Sequence, residues 1–312
     1  MTDWSIRVNE LSDSQFREWK LARDNYRQLD DVRVRSVSFS GYELSVQFNP
    51  GRITSSAAKV DAKAIEARPC FLCGKNRSPE QRGVPFGDEY EILINPFPIF
   101  RRHLTIVSGR HIPQRIDGNF GTMLSLAESL PDYVIFYNGP QCGASAPDHL
   151  HFQAGNRGFL PIEKDAENPQ LCNRVAGAGA AELFLWNGYR RGIMTLRGRN
   201  GKDMEAVFKR FYNCFFLQQP DRPEPMLNIL AYYDKGMLTV HVIPRKMHRP
   251  ACYFAEGGER ILLSPASVDL GGVFITPRGE DFTKITAHDI SAILDEVCLT
   301  EEELRTLTNE IL

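Results

Sequence analysis

Apolar and polar residues alternate along Tyr42–Pro50 (YELSVQFNP), and a period of two over this length predicts a β-strand. Between Asp13 and Asp31 the period lengthens. Phe16, Trp19, Leu21 and Tyr26 form an approximate apolar stripe, which predicts a helix capped by Asp13 or Ser14. Residues 51–69 are polar and read as a loop with some local helix. Tyr90–Phe100 and His103–Ser108 read as strands, split by Pro96, Pro98 and the basic pair Arg101–Arg102. Gly121–Pro131 reads as a short helix. Asp132–Gly139 and Asp148–Gly155 read as strands joined by a glycine-rich turn. In the second half, Gly201–Gln219 is a strong helix, and Pro225–Lys246 is a hairpin turning at Asp234-Lys235-Gly236. Gly271–Ile275 is a short strand. The tail is two helices, the last opened by a Thr300/Glu303 capping box. Strands and helices are segregated rather than strictly alternating. This predicts an α+β fold with a largely antiparallel sheet and helices packed on it. A diffuse likeness between HLTIVSGRHIP (103–113) and LTVHVIPRKMHRP (238–250) points to two related halves, residues 1–165 and 166–312.

Composition narrows the class without changing this picture. The chain has 312 residues, 42% hydrophobic and 24% charged, which is enough for a real core. A net charge of −2 gives no basic field to draw nucleic acid. No apolar run is long enough to span a membrane, and MTDWSIRVNELSDSQ lacks the regions of a signal peptide. The seven cysteines are scattered apart from Cys70 and Cys73, which is no disulfide framework. A cytoplasmic location is expected.

Cys70-Phe-Leu-Cys73 is the exceptional pair. Two thiolates at this spacing can grip one tetrahedral zinc from a tight turn, and Gly74 suits that turn. His103, His111, His149 and His151 are available to complete such a site. The same spacing also occurs in redox motifs, or as two ordinary cysteines.

The glycine-rich turn leads into His149-Leu-His151-Phe-Gln153. On a strand, His149, His151 and Gln153 share one face, and Leu150 and Phe152 share the other. Gly143, Ala144 and Ser145 in the turn can converge backbone N–H groups on an anion, and Ser145 adds a hydroxyl. A neutral imidazole beside a bound phosphate is a competent nucleophile toward phosphorus. Gln153 can donate its amide to a non-bridging oxygen. Phosphate chemistry is the reading from these residues, and a structural histidine pair on an edge strand is the alternative.

The stretch GASAPDHLHFQ resembles the active-site strand of the transferase branch of the histidine-triad superfamily, whose members include galactose-1-phosphate uridylyltransferase, diadenosine tetraphosphate phosphorylase and the GDP-hexose phosphorylases. HLHFQA is most similar to the GDP-hexose phosphorylases. The resemblance covers about residues 65–165 and extends more loosely beyond. It implies duplicated halves of that fold, with a second half that completes the nucleotide and phosphate site. It further implies that His151 is the residue that becomes nucleotidylated. Gln153 would steady the α-phosphate. Gly143, Ala144 and Ser145 would contact the phosphates, with Asn138 upstream and Asn95 at a ribose-contacting position. The metal ligands of the uridylyltransferases fall on Cys70, Cys73, His111 and His149, which implies a structural zinc. Arg245 and Lys246, in IPRKMHRP, would meet the distal phosphates, whereas a solvated basic loop is the plainer reading. Arg101, Arg102 and His103 divide between the same two readings. His241 reads as a satisfied core histidine, and Cys142 as a small filler in the turn.

The sequence departs from the family's pattern at Asp148, which intervenes between Pro147 and His149; the extra residue either loosens the turn or orients His149 through its second ring nitrogen. It also combines uridylyltransferase-like metal ligands with a phosphorylase-like histidine strand, which points to a separate bacterial branch. The expected activity is nucleotidyl transfer or phosphorolysis through a nucleotidyl-histidine. The substrate is a nucleoside diphosphate sugar or a dinucleoside polyphosphate, and the acceptor phosphate or a sugar phosphate. The partners are these small molecules, not nucleic acid or membrane, and a homodimer is compatible with the resemblance. A hydrolase of the same fold and a non-catalytic, zinc-stabilised nucleotide-binding protein are the alternatives. The His-x-His-x-Gln strand argues against the latter, since pure binding needs no nucleophile.

Overall fold

The computed structural model describes residues 2–53 and 62–311 and places thirteen strands in two sheets. In chain order these are β1 (Arg33–Phe39), β2 (Tyr42–Phe48), β3 (Gly83–Phe86), β4 (Tyr90–Ile94), β5 (His103–Ser108), β6 (Tyr133–Asn138) and β7 (His151–Asn156). The second half adds β8 (Cys172–Ala178), β9 (Ala181–Trp186), β10 (Met194–Gly198), β11 (Leu227–Asp234), β12 (Met237–Pro244) and β13 (Val273–Thr276). The fold is α+β, as the segregation of elements predicts. The large sheet runs β3-β4-β5-β7-β6-β11-β12-β10-β9-β8, antiparallel throughout.

That order contains a duplication. From the outer edge to the seam, each half reads first, second, third, fifth, fourth: β3-β4-β5-β7-β6 and β8-β9-β10-β12-β11. Each half also places a helix between its third and fourth strands, Phe120–Ser129 in one and Gly201–Gln218 in the other. The halves join at the seam of β6 and β11, where Asn138 lies opposite Asn228 and Phe136 opposite Leu230.

Alternation along the strands makes two cores. One face presents Leu104, Ile106, Ile135, Tyr137, Phe152, Ala154 and Ile229 to a helical layer that includes Phe120, Phe211 and Leu304. Burial of each such side chain contributes about 1.5–3 kcal/mol. The other face presents Val134, Phe136, Leu230 and Ile243 to the small sheet, β1-β2-β13, and the C-terminal helices. In the small sheet β13 pairs parallel with β2, Val273 opposite Ser45. His151 and Gln153 project from this second face.

Three expectations shift. The helix read over Asp13–Asp31 is two helices, Asp3–Glu18 and Lys20–Arg27, broken at Trp19. Its cap is Thr2, whose Oγ1 accepts from Ser5 N–H at 3.1 Å, so Asp13 and Ser14 are interior. The stretch over 51–69 keeps the local helix expected of it, in a 3₁₀ turn at Pro50–Arg52 and a helix at Ala62–Glu66, and its residues 54–61 lie outside the described residues. The strand read from Asp148 begins at His151, so His149 belongs to the bend ahead of it. The hairpin turns where expected, with Lys235 and Gly236 both at positive φ, 48° and 84°.

Candidate active site

Cys70 and Cys73 lie on a tight turn in which Cys73 N–H donates to Cys70 O at 3.3 Å and Asn76 Nδ2 donates to the same oxygen at 2.8 Å. The bend before β7 brings His149 to this turn, and the segment after β5 brings His111. His149 Nδ1 lies 3.3 Å from Cys70 Sγ and 3.6 Å from Cys73 Sγ, and His111 Nδ1 lies 3.3 Å from Cys73 Sγ. All four ligand atoms fall within 4.8 Å of one another. A tetrahedral zinc with ordinary bond lengths separates sulfur from nitrogen by about 3.6 Å, so the donor set and its spacing fit that ion. His149 Nε2 is 2.8 Å from Ser108 O; since a carbonyl only accepts, Nε2 carries the proton and Nδ1 is left as the ligand atom. Asp148 does not orient His149. One of its oxygens faces His111 Nε2 at 3.8 Å and the other accepts from Arg68 Nη2 at 3.2 Å. The extra residue in the motif thus serves the exposed histidine, because the second nitrogen of the buried one is already bound to Ser108.

His151 opens β7 under the same bend. Its Nδ1 lies 2.8 Å from the His149 carbonyl and donates to it, which leaves Nε2 as the atom with the lone pair. Among the described residues Nε2 has no partner, and His151 lines a cavity of ≈ 610 Å³ between the large sheet and the small one. Burial pushes the ring's pKa down to about 4, so it is neutral at neutral pH. His151 N–H donates to Gln114 Oε1 at 2.8 Å, and Gln114 Nε2 donates to His151 O at 3.0 Å, which clamps the start of the strand from its flank.

The cavity gathers Asn95, Asn138, Gly143, Ala144, Ser145 and Gln153 around His151. Gly143 sits at φ +97°, and a Cβ there would lie 2.7 Å from Ala266 Cβ, so this glycine is required both for the turn and for the approach of the second half. Cys142, beside it, is fully buried as a filler, its thiol pushed up to about 12 by burial.

Arg245 and Lys246 do not reach the cavity. Arg245 is fully buried and its five N–H donors are all used, on Val297 O, Asn228 Oδ1, Pro265 O, Met247 O and His248 O, at 2.8–3.0 Å. It is a tie between segments, with no donor left for a substrate. Lys246 turns outward to Glu303, at 3.4 Å. The same loop does line the cavity, but through His248 and Arg249. Arg245→Lys is expected to destabilise the fold by about 3 kcal/mol or more, since several buried acceptors lose their donors, whereas Lys246→Ala should change it by less than about 1 kcal/mol. Denaturant unfolding of the two variants checks this.

Arg101 pairs with Asp30 at the surface, and Arg102 lines a separate open cleft. His103 differs from both: it is buried, and its Nε2 lies 3.0 Å from Gln153 Oε1. His241 is in the core, but only half satisfied. Thr195 Oγ1 is 2.7 Å from its Nδ1, while its buried Nε2 has no partner among the described residues. Arg52, Arg68 and Arg77 also line the cavity and were not singled out by the sequence reading. Two of them, Arg68 and Arg77, bracket the C-x-x-C pair, and that flanking charge was the available signal.

Two family models match the chain. "Domain of unknown function (DUF4922)" covers residues 11–156, and "GDPGP1-like, C-terminal domain" covers residues 180–312. No curated protein matches it. Among solved structures, the yeast Ap4A phosphorylase Apa2 superposes with a TM-score of 0.62 at 15% identity, over 90% of this chain and 97% of that one. The same yeast enzyme in complex with Ap4A gives 0.58 at 17% identity over 89% and 95%. Its complex with AMP gives 0.59 at 16% identity over 92% and 96%. At these identities the likeness is one of fold. The chain therefore resembles the histidine-triad transferases in architecture as well as in the motif around His151.

Proposed function

We propose that the protein is a nucleotidyltransferase or phosphorylase that carries a nucleoside monophosphate on His151 between two phosphorylated partners. The observation that carries this reading is the ring of His151, fixed through Nδ1 to the His149 carbonyl, with Nε2 free at the cavity. Nε2 attacks the α-phosphorus of a nucleoside diphosphate sugar or a dinucleoside polyphosphate. A P–N bond forms, the P–O bond to the leaving phosphate breaks, and the ring becomes cationic. The His149 carbonyl, accepting from Nδ1–H, stabilises that charge. An oxygen of inorganic phosphate or a sugar phosphate then attacks the same phosphorus and releases the ring. The amide of Gln153 and the turn around Ser145 would hold the charge on the non-bridging oxygens. The division into a catalytic half, residues 1–165, and a half that closes the site, residues 166–312, belongs to the same proposal.

Cys70, Cys73, His111 and His149 would hold a zinc ion. With four protein ligands and no open position, such an ion is structural and supplies no reacting group. The yeast enzyme of this fold has been crystallised with Ap4A and with AMP, which supports a nucleotide in the cavity.

The test is intact mass after mixing the protein with nucleotide sugars and dinucleoside polyphosphates in the absence of acceptor. A gain equal to one nucleoside monophosphate is expected, discharged on adding phosphate or a sugar phosphate. Discharge by water alone at the catalytic rate would make the protein a hydrolase. Binding with no adduct from any compound would sink the covalent mechanism.

A further inference from the structure

Gln153 can aim its amide two ways. Only one presents N–H groups to a phosphate; the other presents a carbonyl oxygen, which repels it. We infer that His103 is a positioning residue that sets this choice: its ring holds Gln153 with the N–H₂ group toward the reacting phosphate. This rests on the transfer reaction proposed above.

The direction can be traced to the main chain. Ile99 N–H donates to His103 Nδ1 at 3.1 Å. A ring nitrogen that accepts carries no proton, so the proton of the neutral ring is on Nε2. Nε2–H then points at Gln153 from 3.0 Å, and the facing atom must be Oε1. Burial pushes the His103 ring down to a pKa of about 3, which keeps it neutral and this tautomer in place. A second path arrives independently. Phe97 N–H donates to Asn95 Oδ1 at 2.9 Å, which turns Asn95 Nδ2 toward Gln153 Oε1 at 3.3 Å. Two backbone N–H groups of one loop, those of Phe97 and Ile99, therefore fix the polarity of Gln153. Its Nε2 has no partner among the described residues, and the side chain lines the cavity beside His151.

Asn138, across β7 from the loop, is held in the same sense by the other half of the chain. Its Oδ1 accepts from Ser267 N–H at 2.9 Å, Ser267 Oγ at 2.7 Å and Asn228 Nδ2 at 2.8 Å. Asn228 is itself oriented by Arg245, whose Nη1 donates to Asn228 Oδ1 at 2.8 Å. The acceptor ends of both amides are thus consumed by protein, and both donor ends remain for the ligand.

The test is a double-mutant cycle on adduct formation, with the compound that labels the wild-type protein. His103→Asn can still accept from Ile99 N–H but has no reach to Gln153. His103→Gln can still donate to Gln153 but leaves Ile99. His103→Asn is expected to slow adduct formation about 100-fold with little change in nucleotide affinity, the loss typical of one misdirected oxyanion donor. In a Gln153→Ala background the same change is expected to cost less than about twofold, because the residue it acts through is gone. His103→Gln is expected to keep most of the rate while lowering thermal stability. Equal slowing by His103→Asn in both backgrounds would overturn the inference, as would a larger rate loss in His103→Gln than in His103→Asn. Imidazole ¹⁵N spectra of the wild-type protein decide the geometry separately: the Nε2–H tautomer at His103 upholds it, and Nδ1–H overturns it. If the wild-type protein forms no adduct with any compound, the functional reading fails, and these spectra alone decide whether His103 sets the amide.

Discussion

Replacing His151 by Asn ends covalent capture: no compound that labels the wild-type protein adds mass to the variant, and turnover falls by about 10⁴-fold or more. Asparagine is the informative choice. Its short amide can still donate to the His149 carbonyl, which His151 Nδ1 reaches at 2.8 Å, so the bend before β7 is kept. What disappears is the lone pair on Nε2, the atom that bonds phosphorus in the proposed transfer. The residual rate would come from the cavity's ability to hold the substrate with its charge neutralised. Nucleotide affinity, measured by calorimetry, should change by less than about tenfold, since the ring contributes an electron pair rather than a binding contact. A variant that keeps full turnover with every accepted substrate would remove His151 from the mechanism. A variant that loses binding and turnover together would make His151 part of the pocket wall.

Cys73→Ser should strip the metal from the protein and lower Tm by about 10 °C, the shift expected for about 5 kcal/mol in a chain of this size. The metal content of the wild-type protein, by elemental mass spectrometry, is expected to be one zinc per chain. The consequence reaches His151 through one residue. His149 offers Nδ1 to the metal site, and its carbonyl holds His151. Freeing the ring of His149 loosens the carbonyl that sets the tautomer of His151, so adduct formation should slow in Cys73→Ser even at temperatures where the variant is folded. His111→Ala, which removes the exposed ligand, should give a milder version of both effects. A wild-type protein that carries no metal, and whose Tm is unchanged by Cys73→Ser, would refute the assignment.

The parts legible in the sequence are those where a local rule acts alone. The hairpin at Lys235-Gly236 needs positive φ, and the glycine announces it. Thr300 and Glu303 cap each other within four residues. Gly143, Ser145, His151 and Gln153 are close in the chain, so the turn and strand that carry them bring them to one cavity with little help. What the sequence hid depends on distant partners. The strands β8 and β9 run through VAGAGAAE, whose small residues carry almost no strand signal, and they form because the edge of β10 is there to pair with. Arg245 sits in a basic run like a surface loop, and only the arrival of Val297, Pro265 and Asn228 shows that it is buried. His103 follows two arginines and shares their composition. The strand's alternation separates it from Arg102 and turns it inward. The start of the helix at Asp3–Glu18 is hidden because the apolar stripe continues across the break at Trp19, which no glycine or proline marks.

The parallel pairing of β13 with β2 has a consequence for how the protein is born. Ribosomes deliver the chain from its N-terminus, so the strand with His151 and Gln153 emerges long before the wall that carries Ser264, Ala266 and Ile275. About 120 residues separate the end of β7 from the end of β13, roughly 6–24 s of translation at ordinary speeds. For the first part of that interval, until β11 ends at Asp234, β6 has no partner at the seam, and His151 lies beside an unfinished cavity. A nascent chain therefore carries His151 well before it carries the wall that closes the cavity around it.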